Sequence, residues 1–167
     1  MQFSVGVEYA FHSLFYLVGL PSGKAVGIKE LAQFNRLTST YLSKTFTKLQ
    51  KAGIVRSSPG KKGGYELARD PAAISFWDII EAIEGSSHLF QCAEIRKDNV
   101  LVDDASVYSE KTPCLIKAVI AEGEERMRDF LRAKSLKWLH DSVSGDFSED
   151  RKAAIASWFG VEGLSAR

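Results

Sequence analysis

The sequence predicts a mainly α fold with a small β wing: a winged helix-turn-helix followed by a long dimerisation helix. Three observations carry that expectation. In GIKELAQFNRLTSTYLSKTFTKLQK (27–51), two short apolar-periodic segments flank the turn Asn35-Arg36-Leu37. A hairpin rich in glycine and lysine follows, between Gly53 and Leu67. Beyond Pro113, Ile116, Ile120, Gly123, Met127 and Phe130 recur at spacings of 4, 3, 4 and 3, the seam of a packed helix pair.

The first helix is expected from Ser4 to Leu17. Ser4 is the cap, and Val5, Val7, Ala10, Phe11, Leu14 and Phe15 make it apolar round most of its girth, so it is a buried helix. Glu8 and His12 are its polar exceptions, four residues apart and therefore on one face. Taken alone they read as a solvent-facing pair. Ile28, Leu31, Ala32 and Phe34 mark the second helix. Thr38 or Ser39 caps the third, whose apolar Leu42, Phe46 and Leu49 leave Thr40, Ser43, Lys44, Thr47, Lys48 and Lys51 opposite. A rod carrying hydroxyls and cations fits a DNA major groove.

Gly53 stops that helix. Ile54-Val55-Arg56 and Tyr65-Glu66-Leu67 read as strands about the turn Pro59 to Gly64, a wing whose Lys61 and Lys62 can reach phosphates. Ser75 caps a fourth helix bearing Phe76, Trp77, Ile79, Ile80 and Ile83, which ends at Gly85. Residues 86 to 112 show no helical period, and a loop of that length is commonly functional. Thr112-Pro113 starts the long helix, expected to run to about Ala133 with Leu115, Val119 and Leu131 widening its stripe. Short helices follow from Ser135 to Val143 and after Ser148. The domain organisation is thus a winged helix-turn-helix over 1–85, a sensor loop over 86–112, a dimerisation helix region over 113–143, and a helical extension over 144–167.

Composition narrows the function. Residues 1–70 hold 10 Lys/Arg against 4 Asp/Glu (+6) and residues 71–167 hold 12 against 17 (−5), summing to the formal +1. A basic half joined to an acidic half suits a DNA-facing module attached to a sensing one. No apolar run reaches transmembrane length and no basic leader opens the chain, so a cytoplasmic protein without membrane contact is expected. An enzyme is disfavoured: no nucleophile-base-orienter set is visible, and Gly60-Lys61-Lys62-Gly63-Gly64 lacks the spacing of a P-loop.

The opening SVGVEYAFHSLFYL, the run YLSKTFTKLQKAGIVRSSPGKKGGYELARDPAAISFWDIIEAIEG and the later helix beginning at Pro113-Cys114 resemble the Rrf-two family of bacterial transcriptional regulators. The resemblance covers residues 1 to 143 and is most specific in GGYELARDP. It implies winged-helix homodimers on partly palindromic operators. The contact set it implies is Thr38, Ser39, Thr40, Tyr41, Ser43, Lys44 and Lys48 on the recognition helix, with Arg56, Lys61 and Lys62 on the wing. Ser43 stands where certain cluster-binding members carry a cytosine-reading glutamate, so the operator is expected to differ from theirs.

Cluster-binding members place three cysteines close together before the long helix. Here Cys92 stands alone and Cys114 comes 22 positions later, so that three-cysteine site is excluded. A [2Fe–2S] cluster takes four protein ligands, and imidazole can replace thiolate. Glu8 and His12 resemble the pair that certain redox-sensing members donate from the partner subunit. The resemblance therefore implies Cys92 and Cys114 from one chain with Glu8 and His12 from the other. His12 is the informative residue, because members generally carry an aliphatic residue or arginine there. Near a helix start, Cys114 is expected to favour thiolate. Three alternatives stay open: a metal-free Cys92/Cys114 thiol-disulfide switch, two cysteines that serve only as buried packing residues, and an iron-sulfur electron carrier. His88 is a reserve ligand, and His140 is expected to act as a cation near a helix end.

Overall fold

Val5–Val18 forms the first helix, α1, and the winged module is assembled around it. In the computed structural model the described residues are 2–60, 63–86, 88–98, 100–101 and 114–164. Gly6, Val7, Ala10, Leu14, Phe15, Leu17 and Val18 of α1 are all buried, as expected of a helix apolar round most of its circumference. Ser4 occupies its N-cap position without capping. Its amide and hydroxyl instead donate to Glu84 Oε1 at 2.9 and 2.7 Å, pinning the start of α1 to the end of a later helix.

Helices α2 (Ile28–Phe34) and α3 (Ser39–Lys51) form the helix-turn-helix. Between them Arg36 adopts φ 55°, and Leu37 donates its amide to Ala32 at 2.8 Å, so a single left-handed residue makes the bend. Leu42, Phe46 and Leu49 of α3 are fully buried. Thr45, buried beside them, satisfies its hydroxyl on the Tyr41 carbonyl at 3.2 Å. Gly53 leaves the helix at φ 67°, a conformation glycine adopts without a Cβ penalty.

The wing pairs β1 (Val55–Ser58) with β2 (Gly64–Leu67) antiparallel, in the register Val55↔Leu67 to Ser58↔Gly64. Val26 joins it through mutual hydrogen bonds with Tyr65. That approach requires glycine at 64, because a Cβ there would overlap the Val26 backbone. Lys61 and Lys62 lie outside the described residues.

After a 3-10 turn at Pro71–Ala73 comes α4 (Phe76–Glu84), opened by a full capping box: Ser75 Oγ accepts from the Asp78 amide, and the Asp78 carboxylate accepts from the Ser75 amide. Residues 2–85 and 131–164 form one compact unit. Two further helices therefore complete the winged module: α6 (Leu136–Ser144), capped by Ser135, and α7 (Glu149–Trp158), capped by Ser148. The Leu136 amide donates to Ile74 and the Phe76 amide to Lys134, stitching the start of α6 to the start of α4.

Residues 86–130 form a second unit, made of the segment after α4, a 3-10 turn at Ile95–Asp98, and most of α5 (Leu115–Arg132). The stretch grouped as 113–143 from sequence is thus divided between the two units. Residues 102–113, including Pro113 and the rest of the sensor loop, lie outside the described residues. In the second unit Glu124 is buried, ion-paired to Arg128 and accepting the Leu89 amide at 3.2 Å. Leu115, Ile116, Val119 and Phe130 of α5 are 76, 66, 68 and 64% exposed. Among the described residues no helix is long and apolar enough to cross a membrane.

Candidate functional site

The outer face of α3 is the first component. With Leu42, Phe46 and Leu49 turned inward, Thr40, Tyr41, Lys44, Thr47, Lys48 and Lys51 are exposed and Ser39 and Ser43 half-buried, with Thr38 exposed just before the helix. The hydroxyl-and-cation face expected from sequence is therefore present as a surface. Its members are not equally available. Thr47 Oγ1 donates to the Ser43 carbonyl at 2.9 Å. Lys48 Nζ donates to the Ile83 carbonyl at 2.6 Å, neutralising the C-terminal end of α4. Lys44 forms no hydrogen bond or ion pair among the described residues. Tyr41 meets Tyr9 of α1 edge-on at 5.3 Å, so the start of α3 is braced against α1. On the wing, Arg56 Nε pairs with Glu66 at 3.0 Å while the guanidinium stays exposed.

The second component lies on α1. Glu8 and His12 are both exposed on one face, and neither forms a hydrogen bond or ion pair among the described residues. The grip of Glu84 on Ser4 sets where that face begins.

The third component is the sulfur pair. Cys114 immediately precedes α5, and its carbonyl accepts the Ala118 amide at 2.9 Å, which puts it at the cap position rather than inside the helix. The cap position brings its sulfur to the free amides of the first turn. Hydrogen bonds from Lys117 and then Ile116 lower its pKa against the opposing effect of burial, helped by the Arg96 charge and by the Cys92 thiol. Cys92 and Cys114, 22 positions apart, are thus neighbours, both half-buried and both free thiols. Cys92 Sγ also donates to Glu94 Oε1 at 3.6 Å, and Arg96 Nε holds Glu94 at 2.9 Å, a bond that keeps the Glu94 carboxyl below its usual range.

Glu94 and Arg96 were not singled out from sequence as site residues. The signal available was an acid and a cation at two and four residues beyond a loop cysteine; Glu94 is further marked by φ 53°. His88 is exposed and lies 3.6 Å from Glu124. His140 departs from expectation. It is buried against Phe15, with ring centroids 5.1 Å apart, and burial lowers its pKa despite Asp141, so it is a neutral packing residue rather than a helix-end cation.

No group of three or more His, Cys, Asp or Glu side chains that could hold a metal ion occurs among the described residues. The donor set available in one chain to a [2Fe–2S] cluster is therefore the thiol pair, half of the four ligands required.

The family model for Rrf2, described as an iron-dependent transcriptional regulator, matches residues 3–142. The chain is 29% identical over 143 residues to the HTH-type transcriptional regulator YwgB of Bacillus subtilis strain 168, covering 86% of each chain. It is 25% identical over 122 residues to the HTH-type transcriptional regulator NsrR of Shouchella clausii strain KSM-K16, covering 73% of this chain and 76% of that one. Among solved structures, CymR, the global cysteine regulator of B. subtilis, superposes with a TM-score of 0.63 at 24% identity, over 86% of this chain and 98% of that one; this likeness shows the fold. The match to its helix-turn-helix, its wing and the segments on either side makes this chain a DNA-binding transcriptional regulator, not an enzyme, and a member of the Rrf2 family.

Proposed function

We propose that the protein is a homodimeric regulator, acting in the cytoplasm on a partly palindromic operator, and that a [2Fe–2S] cluster at the subunit interface sets its DNA affinity according to redox state. The proposed ligands are Cys92 and Cys114 of one protomer with Glu8 of the partner subunit and His12 of the partner subunit. The observation that carries this reading is the meeting of the two distant thiols at the amide-rich start of α5, where thiolate is favoured. The exposed Glu8/His12 pair supplies the complementary oxygen and nitrogen, and the family's iron-dependent character agrees. When bound, the cluster supplies a one-electron couple, whose potential an imidazole ligand raises.

The exposed apolar face of α5 supports self-association, since contiguous apolar surface of that kind marks an interface. For DNA we assign the readout to Thr38, Ser39, Thr40, Tyr41 and Ser43, with Lys44, Lys48, Arg56, Lys61 and Lys62 on phosphates.

The nearness of Cys92 to Cys114 equally favours a second reading, a metal-free switch. One peroxide molecule would oxidise the two thiols to a disulfide and be reduced to two waters. Anaerobic purification, with an absorption spectrum and iron and sulfide counts, separates the readings. A coloured protein with two irons and two sulfides per cluster is expected. His12→Ala should lose the colour yet keep the ability to form a Cys92–Cys114 disulfide. A colourless protein with full operator affinity would overturn the cluster.

A further inference from the structure

A cavity of about 460 Å³ lies among α1, α6 and α7, within the winged unit. The family match ends at residue 142, and one wall of the cavity is built from residues after that point, Ser144, Phe147, Lys152 and Ile155 among them. We propose that this cavity binds a small amphipathic monoanion, a ring system carrying one carboxylate or sulfonate, as a second input to the regulator.

Shape and chemistry both support that class. Cavities of this size with apolar walls and a few convergent polar groups are the usual form of small-molecule sites. Phe15 and Phe147, with ring centroids 6.0 Å apart, and Tyr16 supply flat apolar walls. The Arg151 guanidinium lies 4.0 Å over the Phe147 ring and steadies it. Gly19 leaves room for the imidazole of His140 to line the space: a Cβ there would stand 3.0 Å from His140 Nε2. The charged lining is two ammonium groups, Lys137 and Lys152, against one carboxylate, Asp141. Burial favours the neutral form of His140, so the cations of the lining are the two lysines. Lys137 meets Asp141 at 3.2 Å and Lys152 meets the outlying Glu149 at 2.8 Å, so each ammonium is positioned and keeps further donors.

An occupant would also bear on the DNA module. The Tyr16 ring packs on Phe34, the last residue of α2, at 4.6 Å, and Phe34 packs on Phe159 after α7 at 4.9 Å. Pressure on the cavity wall is thereby pressure on the helix-turn-helix, and such coupling is reciprocal between ligand and operator.

The test is a fluorescence titration of the full-length protein with 8-anilinonaphthalene-1-sulfonate, an aromatic monoanion, beside the neutral N-phenyl-1-naphthylamine. Saturable sulfonate binding is expected. Ser144→Phe should abolish it by filling the cavity. Lys137→Gln with Lys152→Gln should weaken it at least fivefold without weakening the neutral probe. Operator affinity, measured with and without the sulfonate, should shift by the factor by which operator shifts sulfonate affinity. Sulfonate binding untouched by the lysine changes, or lost equally for both probes, would overturn the monoanion site. So would an operator affinity that saturating sulfonate leaves unmoved. If Ser144→Phe fails to fold, the two half-buried lysine substitutions decide.

Discussion

Cys114 shows what one position can do. At the N-cap of α5 its sulfur takes amide hydrogen bonds that a residue one turn later would lack, and Arg96 adds a positive field. Alkylation of Cys114 in the metal-free protein should therefore titrate below the ordinary thiol value of about 8.5, and Arg96→Ala should move the midpoint up; iodoacetamide rates against pH read this directly. His140 titrates in the other sense. Burial favours its neutral form, so the unfolded chain takes up the proton at higher pH than the folded one. The stability difference is absent well above the unfolded value of about 6.5 and grows against the fold as pH drops through it. His140→Gln should flatten that acid-side fall in Tm. Ser13 is buried in α1 with a hydroxyl that has no partner among the described residues. Ser13→Ala should raise stability by about 1 kcal/mol in urea melts. That Cys114 would favour thiolate was readable from its place before a helical period; the neutral state of His140 was not, because the ring that buries it comes from a helix more than a hundred residues earlier.

At the scale of elements, boundaries were legible wherever a local signal sets them. Ser75, Ser135 and Ser148 cap the helices they were expected to open, and Gly53 and Gly85 leave theirs at positive φ. Ser75→Ala removes half of a reciprocal capping box and should cost about 0.5–2 kcal/mol by denaturant titration. Ser4 departs from that pattern, since its hydroxyl goes to Glu84 across the module, a partner no local pattern announces. Lys48 is a similar case: its spacing puts it on the outer face of α3, yet its ammonium is claimed by the end of α4. Helix α5 carries its prediction on the exposed stripe. Val119→Glu places a charge in the middle of the apolar face and should convert dimer to monomer in sedimentation, with operator affinity falling in parallel.

For the molecule as a whole, charge asymmetry sets the interaction with DNA. A surplus of +6 in residues 1–70 beside −5 in the remainder concentrates cations in the stretch that carries the helix-turn-helix and the wing, and leaves the net near zero. Operator affinity should fall steeply with salt, the logarithmic slope being about −0.9 per phosphate neutralised. Lys44→Ala should reduce that slope by roughly one, and Thr40→Ala should instead narrow the gap between operator and random DNA at fixed salt. The two compact units were only partly legible. Residue 85 or 86 was marked as a boundary by Gly85, but the return of α6 and α7 to the winged module depends on backbone bonds such as Leu136 to Ile74.

Sequence alone determined the helices, the wing, the hydroxyl-and-cation face of α3 and the family, because period, caps and glycines act within a few residues of one another. Tertiary structure alone decided that Cys92 and Cys114 meet, that Arg96 bears on Cys114, that Lys48 is held by α4, and that the C-terminal helices line a cavity on α1. Each of those depends on groups distant along the chain, and their proximity follows from how buried surfaces pack, which no local pattern encodes.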